Sequence, residues 1–143
     1  MKDFYKGYKS LDKTNEEFVE KISFVLPDAT TLFHFEKVSK RTNLDIASVN
    51  SAIQLRIENN KILEAHVSAG GVSATPFYLT KTTTFLLNKE ISEALILDVI
   101  KVAQSEIAPI SDARGTAEYK RLLLRQLLFA HFHKLFPNIQ IEK

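Results

Sequence analysis

Two runs of alternating side chains joined by an Asn-Asn pair constrain this chain more than any other feature. From Val49 to Ile57 the odd positions (Val49, Ser51, Ile53, Leu55, Ile57) are mostly apolar, while Asn50, Gln54, Arg56 and Glu58 are polar. A period of two is that of a strand with one face buried. After Asn59-Asn60, residues that tolerate left-handed turn geometry, Leu63, Ala65, Val67 and Ala69 alternate with Glu64, His66 and Ser68. The two runs predict an antiparallel hairpin. A plain two-residue loop would set Leu55 and Ile53 opposite Glu64 and His66, one strand's apolar face beside the other's polar face. A third loop residue or a bulge resolves the conflict by pairing Leu55 with Ala65 and Ile53 with Val67.

Upstream, Phe18 to Val25 and Phe33 to Lys40 read as two further strands separated by a turn at Pro27-Asp28. Downstream the period becomes helical. Ser92 is a candidate N-cap, Glu93 sits in the first turn, and Ile96, Ile100, Ala103 and Ile107 share a face that ends before Pro109. The last helix, roughly Thr116 to Phe136, carries two apolar rows, Tyr119-Leu123-Leu127-Ala130 and Leu124-Leu128-Phe132-Leu135, so its buried stripe is wide. A short helix around Thr82 to Leu87 is expected as well, despite three consecutive β-branched threonines. Strands first and helices afterwards is the α+β order: an antiparallel sheet of about four strands, with about three helices packed on one face.

The 143 residues suit a single domain, 1–143, with one core. Nineteen basic residues against 17 acidic ones give no field able to neutralise a phosphate backbone, so nucleic acid is not an expected partner. With no cysteine, disulfides, thiol catalysis and cysteine-held iron–sulfur clusters have no place on this chain. The N-terminal residues lack a signal-peptide core, and no run approaches the roughly 18 apolar residues that span a bilayer; a cytoplasmic location is expected.

Few side chains suggest chemistry. His131 and His133 lie about 200° apart around a helix, which prevents shared metal ligation, and His34 and His66 stand on different strands; all four read as surface or boundary residues. Gly70-Gly71 lacks phosphate-loop spacing and reads as a bulge or a close chain approach. Asp112 and Arg114, ahead of the last helix, read as a structural pair, the Asp answering helix-start N–H groups and the Arg forking onto a carboxylate. Alternation puts Lys37 on the same side as Phe33 and Phe35, where its stem can cover the rings while the ammonium reaches water.

Several segments, in order, carry a resemblance. They are Phe4-Tyr5-Lys6-Gly7-Tyr8, Glu17-Phe18-Val19-Glu20-Lys21-Ile22, Phe35-Glu36-Lys37-Val38-Ser39-Lys40-Arg41, Leu44-Asp45-Ile46-Ala47-Ser48-Val49-Asn50 and Gly70-Gly71-Val72-Ser73-Ala74-Thr75-Pro76. The run Pro109-Ile110-Ser111-Asp112-Ala113-Arg114-Gly115-Thr116-Ala117-Glu118-Tyr119-Lys120-Arg121 completes the set. Together they resemble the C-terminal domain of the FAD-binding subunit of molybdenum hydroxylases, the family of xanthine and carbon monoxide dehydrogenases, with bacterial xanthine dehydrogenases nearest.

That resemblance implies the same α+β architecture and a place in a larger oxidoreductase complex. The chain would form the C-terminal part of the FAD-containing portion, the upstream FAD-binding lobe being absent from it. It would pack on that lobe, with molybdenum cofactor and iron–sulfur clusters on partner domains or chains and electrons passing through FAD to NAD. In xanthine dehydrogenases the lysine of the F-x-K-x-S segment contacts the flavin, which points to Lys37, and Val19 matches a family aliphatic position that touches it. The loop Thr42-Asn43-Leu44-Asp45 is less acidic than in animal members. By this reading the chain alone is inactive and binds FAD weakly or not at all. The alternative is a stand-alone protein-interaction module without a redox role, and exposed apolar surface at Phe4, Tyr5, Tyr8 and Phe33 would suit either.

Overall fold

The Asn59-Asn60 pair turns the chain with both residues at positive φ (49° and 63°), the geometry that matches the twist of a hairpin. In the computed structural model, which describes residues 2–140, this turn joins β4 (Val49–Glu58) to β5 (Lys61–Gly70). Leu55 pairs with Ala65 and Ile53 with Val67, as the alternation requires. The two-residue loop survives because a bulge corrects the register. Ile57 faces Ile62 while Arg56 faces Glu64, so Leu63 is the extra residue. Ile62 enters the core instead and is fully buried.

A short ribbon, β1 (Tyr5–Gly7) and β2 (Ser10–Leu11), precedes the main sheet. That sheet adds β3 (Thr31–Val38) and β6 (Phe77–Tyr78) in the order β3-β4-β5-β6, every neighbour antiparallel. The helices are α1 (Thr80–Leu86), α2 (Glu93–Glu106) and α3 (Ala117–Leu135). Ser92 caps α2 by accepting from the Leu95 N–H, and Thr116 caps α3 by accepting from Tyr119. α3 lies across β3 and β4, α1 against β5, and α2 packs on α1 and α3.

Val49, Ser51, Ile53 and Leu55 point into this helical layer together with Ile62, Ala65, Val67 and Ala69. There they meet Ile96, Val99, Ile100 and Ala103 of α2 and Leu124, Leu128 and Phe132 of α3. The Arg121 guanidinium donates to the Gln104 and Ile107 carbonyls, binding the end of α2 to the start of α3. Fold class and all three helices therefore agree with the sequence reading.

The strand expected at Phe18 to Val25 does not form; residues 17–28 are irregular. Phe18, Ile22, Phe24 and Val25 are 82%, 63%, 79% and 93% exposed. The physical reason is that its large side chains stay exposed among the described residues, so no burial offsets the cost of ordering a strand. The fourth strand is instead Phe77–Tyr78, too short to announce itself by periodicity.

Candidate functional site

Every strand residue that alternates away from the helices contributes to a second, uncovered face. Cross-strand pairing sets its rows: Phe35 beside Ala52 and Ser68, Phe33 beside Gln54 and His66, and Lys37 beside Asn50 and Gly70. Tyr78 extends the face over Ser68, and its hydroxyl lies 2.8 Å from His66 Nδ1. Phe33 and Phe35 remain 57% and 51% exposed, too much for core residues. Two shallow cavities occupy this face. One of about 370 Å³ lies between Tyr5, Asn50, Gly70 and Phe77; the other, about 190 Å³, lies between Phe33, Gln54, His66 and Tyr78.

Lys37 is exposed on this face, on the side of Phe33 and Phe35 that alternation assigned. Its Nζ donates to the Asp45 carbonyl at 3.2 Å. The same Asp45 folds the following loop: its carboxylate accepts from the Arg41 N–H at 2.8 Å, the largest cause of its lowered pKa. At the loop tip Leu44 has φ 49° and is 98% exposed. Val19 lies in the irregular segment, 50% exposed, rather than on a strand beside β3. The fold thus puts Lys37 on a defined surface and leaves Val19 on an unpaired stretch.

Gly70-Gly71 is a close chain approach, as expected. Gly71 has φ 82°, and a Cβ there would lie 2.2 Å from the Ser48 carbonyl oxygen. Asp112 and Arg114 do pair, with Arg114 Nε and Nη2 both donating to Oδ2 at 3.1 and 2.6 Å. The helix-start N–H groups, however, are answered by Thr116 and Ser111, not by Asp112. The second partner of Asp112 is Lys120, 2% exposed, whose Nζ reaches Oδ1 at 2.9 Å and the Ile110 carbonyl at 2.6 Å. Hydrogen bonds from Arg114 first, then Lys120, hold the Asp112 carboxyl well below the usual carboxylate range. Lys120 was overlooked in the sequence although it stands four residues before Leu124 and heads that buried row.

The histidines need correction as well. His131 is fully buried and His34 partly so, and the two rings meet. His131 lies four residues after Leu127 and three after Leu128, on the buried stripe, which was the available signal. Among the described residues no group of three or more His, Cys, Asp or Glu is placed to hold a metal ion. None of the described helices is long and apolar enough to cross a membrane.

Residues 34–135 match the CO dehydrogenase flavoprotein C-terminal domain family. The chain belongs to this family. The glyceraldehyde dehydrogenase medium chain of Sulfolobus acidocaldarius is 27% identical over 93% of the chain and 47% of its own length. Xanthine dehydrogenase 1 of Arabidopsis thaliana is 30% identical over 96% of the chain, which amounts to 10% of that protein. The chain thus spans less than half the length of either relative. The fold recurs in CO dehydrogenase from Oligotropha carboxidovorans, with a TM-score of 0.79 at 23% identity over 88% of this chain and 44% of that one. Quinoline 2-oxidoreductase from Pseudomonas putida 86 shares it too, with a TM-score of 0.74 at 22% identity over 92% and 45%.

Proposed function

We propose that this CO dehydrogenase flavoprotein C-terminal domain packs its open sheet face against an FAD-binding lobe and closes one side of the flavin pocket. The observation that carries the reading is exposed Lys37 on the same side of β3 as the exposed Phe35, on a face that none of the described helices covers. These residues fit one wall of a flat ring site. They do not fit a whole dinucleotide site, because the only glycine pair serves chain packing at Ser48 rather than a phosphate cradle. Bound FAD would supply two-electron chemistry. Lys37 would supply a positive charge at the ring edge that favours negative charge on the reduced form, and Val19 would add apolar contact once its segment is covered.

On this reading the chain is part of a xanthine dehydrogenase-like molybdenum hydroxylase. FAD bound there would take electrons from iron–sulfur clusters and would pass them to NAD, with the clusters and the molybdenum cofactor on partner domains or subunits of a cytoplasmic complex. The isolated chain is inactive. An FAD titration followed by flavin fluorescence tests the site, comparing the chain alone, the chain with an FAD-binding lobe, and that mixture with Lys37→Ala. Tighter binding in the mixture, weakened by the substitution, is expected; an unchanged titration on adding the chain defeats the proposal. The competing interaction-module reading draws on the exposed run from Phe18 to Leu26, and it leads if the chain captures a partner protein while flavin binding stays unaffected.

A further inference from the structure

The contact between His34 and His131 lies on the helix-covered side of β3, away from Lys37. His34 Nδ1 and His131 Nδ1 are 2.8 Å apart with the rings at 89°. His131 Nε2 is 2.6 Å from Ser51 Oγ, itself fully buried on β4. At the other end His34 Nε2 stands 3.3 Å from Glu36 Oε1. Four side chains from β3, β4 and α3 therefore form one line, Ser51-His131-His34-Glu36.

The line has few allowed proton arrangements. A neutral imidazole carries one N–H, and a carboxylate only accepts. With Glu36 ionised, His34 donates from Nε2, so its Nδ1 accepts. His131 must then donate from Nδ1, leaving its Nε2 to accept from the Ser51 hydroxyl. Every donor meets an acceptor in a single direction. If His34 takes a proton its Nδ1 becomes a donor, and His131 must switch tautomer and donate to Ser51 Oγ. A second proton would set two N–H groups against each other across 2.8 Å and bury a cation beside a cation.

We propose that the His34–His131 pair is a proton-responsive latch that fastens the edge strand β3 to α3 and accommodates no more than one proton. His131 bears out the asymmetry: burial first, and then the charge of His34, push it down from its ordinary 6.5 to about 4. From β3 the ionisable group facing the pair is Glu36, and from β4 the facing group is the neutral Ser51. On α3 itself the neighbouring His133 and Lys134 are exposed on the solvent side. No opposing carboxylate reaches His131 among these groups. Because its folded pKa is depressed, the unfolded chain takes up a proton first as pH falls below about 6.5, so stability declines from there toward about 4. β3 is an edge strand held on one side only by β4, so its attachment to α3 should fail before the β4–β5 hairpin does. The latch does not depend on a flavin.

The test is hydrogen exchange on the whole chain, together with nitrogen NMR of the ring tautomers. At about pH 7.5 His131 should carry its proton on Nδ1, and between there and about pH 5 the protection of β3 amides should fall about tenfold more than that of β5 amides. His131→Gln, which cannot titrate, should abolish that difference. A proton on Nε2 of His131 at neutral pH overturns the latch, and so does equal loss of protection in β3 and β5. The tautomer measurement needs no variant, so the test holds even if His131→Gln folds poorly.

Discussion

The two faces of the same four strands have opposite fates. On one face Ile53, Leu55 and Val67 are 0–1% exposed beneath the helices; on the other, Phe33 and Phe35 of the edge strand remain more than half exposed. The strands do not differ between the faces; what differs is whether this chain carries a layer to cover them. A face finished within the chain works for stability. A face left without a helical layer, carrying the bare Phe33 and Phe35 rings, Lys37 and the Arg56–Glu64 ion pair, is available for something else, which agrees with a domain that spans under half of its relatives' length.

The contrast is broken most directly by cutting one large ring from each face. Phe132→Ala should cost about 3–5 kcal/mol, whereas Phe35→Ala should change stability by less than about 0.5 kcal/mol. Urea denaturation compares them, and equal losses would mean the two faces are buried alike. The buried cation at the head of α3 comes next. Asp112→Ala, which strands Lys120, should cost about 3 kcal/mol, and Lys120→Met distinctly less, since a buried pair suffers more from losing one partner than from apolar replacement. Because the Asp112 carboxyl is depressed in the folded state, its contribution is present above its ordinary 3.8 and lost as pH falls below it. A thermal melt series through that window should show the extra acid sensitivity vanish in Asp112→Ala. Gly71→Ala forces a Cβ against the Ser48 carbonyl at positive φ and should cost about 1–3 kcal/mol, readable as a lowered melting temperature. The smallest change in stability belongs to Lys37→Ala, within about 0.5 kcal/mol, so weaker flavin retention in that variant would report on the open face alone.

The hairpin with its register correction, the helix cap at Ser92, and the close approach at Gly71 were legible because each is set by residues close in sequence. So was the side of β3 on which Lys37 stands, since alternation within one strand decides it. Phe18 to Val25 misled for the complementary reason: apolar side chains mark a segment that wants cover, not one that has found it. His131 was misread and Lys120 passed over because charged and titratable side chains were judged by type rather than by their place on the α3 stripe.

By itself the sequence determined that strands precede helices and how the hairpin is registered, both of which follow from local periodicity and local backbone demands, while the ordered motif segments carried the family resemblance. Only the tertiary structure decided that β6 closes the sheet, that Asp112 holds Lys120, and that His34 meets His131 from 97 residues away. Those partners lie on different elements, and nothing local in either partner encodes the distance between them; packing does.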